Sequence, residues 1–496
     1  MTTGDVLPWI AETYGQTEVG PEFYVSFGSS NNSDATQNEI NIQDVFDLAH
    51  FPVQFDYIHI KGTIGSLSRD ALNLLHLLQN DGRIWQYICF WAYDEDQPSS
   101  PAFLAIVTAA MKKAKCLEIE CKLSDTTAYA CLATGLLAHD GIQELVLHQA
   151  DNLEVDDAKV LAEAMVCTTC LKRLQLAGGN LRDERVCSIL VEGLKRNRSL
   201  ESLEINVEDF ENDGIGLSEL LRALQNHCNL RSLALSGRIV SAQVMEALRE
   251  WLGRDDCKLQ DLVIGGVLDM SACIGGGEME SRTLQRLTLY KVGLSSEHLS
   301  AMCNALPNLS FLSLGSNRIC DLTPLESILS REDCTIRELD LGWNDISHES
   351  IMKFAAKIPL MKSLRRLCLS DNPFLKEIIL LDGKERSASL RPLLKRMKDS
   401  KSLEQLTMTC QTSVDTIELC HTMNVNRGGR YGIEVESVNH SISLAMWPKI
   451  LYRASSIQYF VCLDSTYSEE QQPTDKSPRA SVVFSLLRDH AYIFEH

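Results

Sequence analysis

The 496-residue sequence contains no apolar run approaching the roughly 18 residues that a membrane-spanning helix needs. Its opening, "MTTGDVLPWIAETYGQ", lacks a basic segment followed by an apolar stretch, the pattern of a secretory signal. Positive charge is scarce as well: 47 lysines and arginines face 67 acidic residues, for a net charge of −20. That balance argues against nucleic acid and against anionic membranes, both of which want a basic surface. It suits solubility and repels acidic partners at long range. The 17 cysteines are an odd number outside any secretory context, so they read as reduced, small apolar residues. The compartment expected is the cytoplasm, with the nucleus also open.

Signatures of catalysis are missing too. There is no G-x-x-x-x-G-K-[ST], no H-E-x-x-H and no G-x-S-x-G. "GIGLSE" at 214–219 has two glycines in dinucleotide spacing but not the third. "CTTC" at 167–170 has metal-like spacing without a second pair of ligands, and reads as core. The 12 histidines are scattered. No enzymatic activity, cofactor or metal is expected.

What the sequence does have is a recurring phrase. "LSFLSLGSNRIC" at 309–320 is followed by "IRELDLGWNDIS" at 336–347 and "LRRLCLSDNPF" at 364–374. The alternating apolar residues Leu309, Leu312 and Leu314 describe a strand with one buried face. Asn317, Asn344 and Asn372 close each phrase, and an amide can donate and accept at once. In stacked turns it would tie down backbone groups that the turn leaves unsatisfied. The first apolar position recurs at Ile142, Leu171, Leu200, Leu230, Leu259, Leu284, Leu309, Ile336, Leu364 and Leu403, with fainter copies from near Phe55. The usual period is about 28–29 residues. "CIGGGEME" at 273–280 falls in a shortened copy and reads as a loop in place of a helix.

The second half of each copy has helical spacing. "SAQVMEALREWL" offers Ser241 as a cap, then Val244, Met245, Leu248 and Leu252. "LSELLRAL" at 217–224, "SSEHLSAMCNAL" at 295–306 and "SHESIMKFAAKI" at 347–358 agree. One such unit cannot bury its apolar face alone; its neighbours complete the core. These units resemble leucine-rich repeats, and their length and helical half are similar to the ribonuclease-inhibitor subtype. Cys228, Cys257 and Cys334, each two residues before the first apolar position, match a habit of that subtype. Departures exist: Glu208 and Val292 stand at the asparagine position, and Ile58, Ile60, Ile88 and Phe90 replace leucines. The resemblance implies an α/β leucine-rich-repeat solenoid, a horseshoe with a parallel sheet on the concave face and helices on the convex face. About 12–13 repeats with terminal caps are expected, and partners would lie against the concave sheet.

The variable strand positions carry the functional expectation. Lys172, Arg173, Arg231, Arg286, Lys291, Arg337, Arg365 and Arg366 are opposed by Glu201, Glu204, Asp261, Glu338, Asp340 and Asp371, so this face is nearly balanced in an acidic chain. Tyr290, Phe311 and Trp343 add aromatic surface in three consecutive copies. These residue types dominate interface hot spots. Two readings stand side by side: solvated strand residues without a role, or a docking strip for an acidic or mixed-charge protein. Trp343 has its own alternative, packing on its own loop.

Residues 1–54 read as a partly disordered N-terminal cap and 55–410 as repeats. Residues 411–496 read as a C-terminal cap with a polar linker near 464–481, helical around Trp447 and again around Leu486. That segment resembles one found in leucine-rich-repeat proteins of microscopic algae. The function expected is a monomeric, non-enzymatic protein-binding scaffold. A GTPase-activating protein of the leucine-rich-repeat type is one alternative, but the tail "RDHAYIFEH" lacks that family's acidity. A substrate adaptor for ubiquitin ligation is another, but "LPWIAETYG" is short for an adaptor-binding motif.

Overall fold

The computed structural model describes residues 22–27 and 57–407, apart from 63–73, 92–100, 267–280, 300–305, 375–394 and shorter breaks. It divides at Gln260 into two compact units.

The first unit carries strands β1 (Glu22–Phe27), β2 (Tyr57–Gly62), β3 (Trp85–Trp91), β4 (Ala114–Ile119) and β5 (Glu144–Leu147), then β6 (Arg173–Ala177), β7 (Ser202–Asp209) and β8 (Ser232–Arg238). They lie side by side in chain order, all parallel. The register explains the sequence period. Ile58, Ile88, Leu117, Leu145, Leu174, Leu203 and Leu233 fall in one line across the sheet. Ile60, Phe90, Ile119, Leu147, Leu176, Ile205 and Leu235 form a second line, and all of these last seven are buried. The early copies written with isoleucine and phenylalanine thus keep the same frame. β1 adds a strand ahead of residue 55, inside the stretch read from sequence as a cap.

Between the strands run α1 (Pro101–Met111), α2 (Thr126–Ala138), α3 (Val155–Cys167), α4 (Glu184–Arg196), α5 (Ile215–Leu224) and α6 (Ala242–Leu252), each packed on the next. Local chemistry sets their ends. In α3 a capping box joins Glu154 and Asp157, and Asp156 adds negative charge where the helix dipole favours it. In α4, Asp183 caps by accepting from the Arg185 N–H at 2.9 Å, while Lys195 and Arg196 sit in the last turn. The bend from helix into strand has its own device. Asn197 Oδ1 accepts from the Ser199 and Leu200 N–H groups, and one repeat later His227 Nδ1 accepts from those of Asn229 and Leu230.

The second unit holds β9 (Asp261–Gly265), β10 (Arg286–Tyr290), β11 (Phe311–Ser313), β12 (Glu338–Asp340), β13 (Arg366–Cys368) and β14 (Gln405–Thr407), again parallel and in chain order. Leu262, Leu287, Leu312, Leu339, Leu367 and Leu406 align and are buried. Helices α7 (Thr323–Leu329) and α8 (His348–Lys357) pack beside each other. Ser347 caps α8 by accepting from the Ser350 N–H, and a 3-10 turn, Ile358–Leu360, follows.

The asparagines do what their spacing demands. Asn317 Oδ1 accepts from the Val292 and Leu294 N–H groups, both at 3.1 Å, and its Nδ2 donates to the Leu289 carbonyl at 2.7 Å. Asn344 and Asn372 repeat the pattern, accepting from Ile319 and Ile346 and donating to Leu314 and Leu341 of the preceding copy. All three are buried. The chain is an α/β leucine-rich-repeat solenoid, strands and helices alternating along each unit.

Two expectations about cysteine need correction. Cys257 is buried, but Cys228 and Cys334, at the same position of their copies, are only half-buried. In "CTTC" the buried residue is Thr168; Cys167 ends α3 exposed and Cys170 is half-buried. The cap around Trp447 and the linker near 464–481 lie outside the described residues, as does most of 1–54. Among the described residues no helix is long and apolar enough to cross a membrane.

Candidate functional site

Three rows of side chains cover the open face of the second unit's sheet. The first row runs Asp261, Arg286, Phe311, Glu338, Arg366, Gln405, each opposite the next in register. Arg286 bridges two neighbours: its Nε lies 3.2 Å from Asp261 Oδ1, and its guanidinium carbon sits 4.1 Å from the centre of the Phe311 ring. A guanidinium over an aromatic face is attractive through the ring quadrupole. Burial pushes the Asp261 carboxyl above its ordinary value, while Arg286 pulls it back. Further along, Arg366 pairs with Glu338 at 3.3 Å.

The second row contains Thr288, Ser313, Asp340 and Cys368. Asp340 is held from two sides, by the Ser313 hydroxyl at 2.9 Å and by the Gly342 N–H at 3.0 Å. Burial first, then the charge of Asp340, pushes the Cys368 thiol up to about 11, so it is an inert thiol at neutral pH.

Tyr290 begins the third row and is 43% exposed, with the Lys291 ammonium 5.1 Å from its ring centre. Hydrogen bonds from Lys291 and Ser316 lower its hydroxyl pKa. Gly315 lies between Tyr290 and Asp340: a Cβ there would be 3.6 Å from Asp340 Oδ2 and 3.9 Å from Tyr290 Cδ2.

The seven residues expected from the sequence divide by level. Arg286, Phe311, Tyr290 and Asp340 occupy the face itself. Arg337 and Arg365 lie one step before their strands, where the Arg365 N–H donates to the Arg337 carbonyl at 2.7 Å. Arg337 is exposed and Arg365 half-buried. Trp343 stands just past β12, 61% exposed, with φ of 56°. Lys291, Ser316 and Asp371 hold the same position in their copies, at φ of 53°, 55° and 57°. The left-handed conformation is therefore a property of the repeat, and Trp343 occupies it despite its bulk. Asp261, Glu338 and Arg366 complete the charge pattern; the sequence marked them as charged strand positions without a particular role. In the first unit, Tyr87, Cys89, Glu118, Glu120 and His148 form a polar group that no sequence motif signalled.

No family model matches the chain. It is 29% identical over 224 residues to NACHT, LRR and PYD domains-containing protein 14 of Mus musculus, covering 42% of this chain and 22% of that protein. It is 24% identical over 314 residues to the ribonuclease inhibitor of Sus scrofa, covering 56% of this chain and 63% of that one. With the Tonsoku-like protein of Bos taurus it shares 26% identity over 276 residues, 51% of this chain and 20% of that protein. Among solved structures, an internalin of Listeria monocytogenes is similar at a TM-score of 0.34 and 15% identity, over 68% of this chain and 86% of that one. The chain is thus similar to leucine-rich-repeat proteins, the ribonuclease inhibitor among them. It spans less than two thirds of the length of these curated relatives.

Proposed function

We propose that this chain is a non-enzymatic scaffold that docks a protein partner on the open sheet face of its second unit. Arg286, Phe311, Tyr290, Asp340 and Trp343 form the contact centre, and Arg337 and Arg365 its margin. The chain acts as a monomer in the cytoplasm, and docking on this face uses no cofactor. The observation that carries this reading is Trp343. A left-handed backbone costs a side-chain-bearing residue about 1–2 kcal/mol, and tryptophan buries surface mainly when something covers it. Here 61% of it is left in solvent. A residue that strains the backbone and stays exposed suggests selection for something other than folding.

The chemistry of the face indicates the partner's. Asp261 answers Arg286, Glu338 answers Arg366, and Arg286 lies over Phe311, so the local surface has both signs next to an aromatic ring. Such a surface fits a mixed-charge protein segment with an apolar anchor, which the rings would take up. That repeats of this type serve protein interaction in general agrees with the company the chain keeps, the named ribonuclease inhibitor among it.

Affinity capture on immobilised wild-type chain, run in parallel with Trp343→Ala, tests the reading. The partner should be retained by the first and lost from the second, with the purified pair weakened at least tenfold by Trp343→Ala or Arg337→Ala. Equal affinity in all three would move the site off this face.

A further inference from the structure

Cys89 and Glu118 stand opposite each other on the neighbouring strands β3 and β4. Glu120 follows two residues later on the same side, its N–H donating to the Phe90 carbonyl at 2.8 Å. Adjacent parallel strands and a two-residue step bring one thiol and two carboxylates to one point. One donor atom from each of Cys89, Glu118 and Glu120 lies within 4.8 Å of the other two. None of them is a loose surface group: Cys89 is 2% exposed, and both glutamates are half-buried.

Glu118 is aimed by its surroundings. His148 Nε2 lies 2.6 Å from its Oε1, and the Tyr87 hydroxyl donates to its Oε2. Each carboxylate oxygen retains a second lone pair for another partner. An imidazole and a phenol fixing a carboxylate in this way is the arrangement that outer groups give to a metal ligand.

We infer that Cys89, Glu118 and Glu120 form a zinc-class metal site on strands β3 and β4 of the first unit, with His148 and Tyr87 as the residues that position Glu118. A thiolate among the donors turns the preference away from magnesium and calcium and toward zinc. Three protein ligands leave one place in a tetrahedron, open to water or to a side chain of a bound protein. On binding, the Cys89 proton and any proton held by Glu120 go to solvent as the metal takes their place.

Cobalt(II) is the probe, because a cobalt–thiolate bond gives a near-ultraviolet charge-transfer band. The full-length protein, reduced and stripped with chelator, should develop that band on adding cobalt and lose it on adding zinc. Cys89→Ser should abolish the band, and Glu120→Gln should weaken cobalt binding at least tenfold while leaving the band's position unchanged. A Cys167→Ser, Cys170→Ser double variant should bind as wild type does. No band in the wild-type protein, or an undiminished band in Cys89→Ser, overturns the assignment. If Cys89→Ser does not fold, Glu120→Gln decides alone, and unchanged cobalt affinity in that variant overturns it equally.

Discussion

His227 accepts two backbone N–H groups at the bend before β8, and only a neutral imidazole can do so at Nδ1. Burial, helped by the nearby Arg198, holds its pKa below the ordinary 6.5. The unfolded chain therefore takes up a proton before the folded one does. Stability should be fully present above about pH 6.5 and fall as pH drops from there toward the folded value. His227→Asn keeps an acceptor, as Asn197 does one repeat earlier, and removes the titration. Denaturant midpoints measured from pH 7.5 to 5 should therefore converge less steeply to acid in the variant than in wild type. Trp343 makes the opposite kind of prediction. Glycine there would release left-handed strain of about 1–2 kcal/mol and lose about 0.5–1 kcal/mol to a more flexible unfolded chain. Trp343→Gly should leave thermal stability unchanged or slightly raised; a marked fall would mean that the ring holds its own loop together.

The helices answer to packing more than to propensity. Gly193 lies inside α4, where alanine would be favoured by roughly 1 kcal/mol on helix propensity alone. A Cβ there would come within 2.8 Å of Ala162 Cα and 3.0 Å of its carbonyl oxygen. Backbone cannot move aside as a flexible side chain can, so Gly193→Ala should destabilise by about 1–3 kcal/mol, seen as a lower urea midpoint. The strands respond to volume. Leu339 sits centrally between Leu312 and Leu367 and is 2% exposed. Leu339→Ala should lose about 2–5 kcal/mol through the cavity it leaves. A midpoint equal to wild type would show that the strand phase is misassigned.

At the scale of the whole molecule, what could be read from the sequence was what repeats. Leu312, Leu339 and Leu367 recur in a fixed phrase, and a period fixes which residues face each other before any contact is known. Asn317, Asn344 and Asn372 were readable for the same reason, since one amide serves one turn and stacking multiplies it. What varied between copies was harder. Arg286 and Phe311 are 25 positions apart in the sequence, and only the register places the guanidinium over the ring. Trp343's left-handed backbone could not be read, because the position that adopts it holds Lys291, Ser316, Trp343 and Asp371 in successive copies, residue types that share no preference for that conformation. The metal-ligand group forms no contiguous motif: Cys89 faces Glu118 only through the strand register, and His148 reaches Glu118 from beyond the end of β5.

The central claim is that the exposed residues of the second unit's sheet are kept for a partner and not for the fold. Its most direct test is the partner's dissociation constant, measured by titration calorimetry against wild type and Trp343→Gly, with melting temperatures taken on the same samples. The account predicts affinity weakened at least tenfold and a melting temperature unchanged or higher. Unchanged affinity, or a loss of affinity matched by a loss of folding stability, would contradict it.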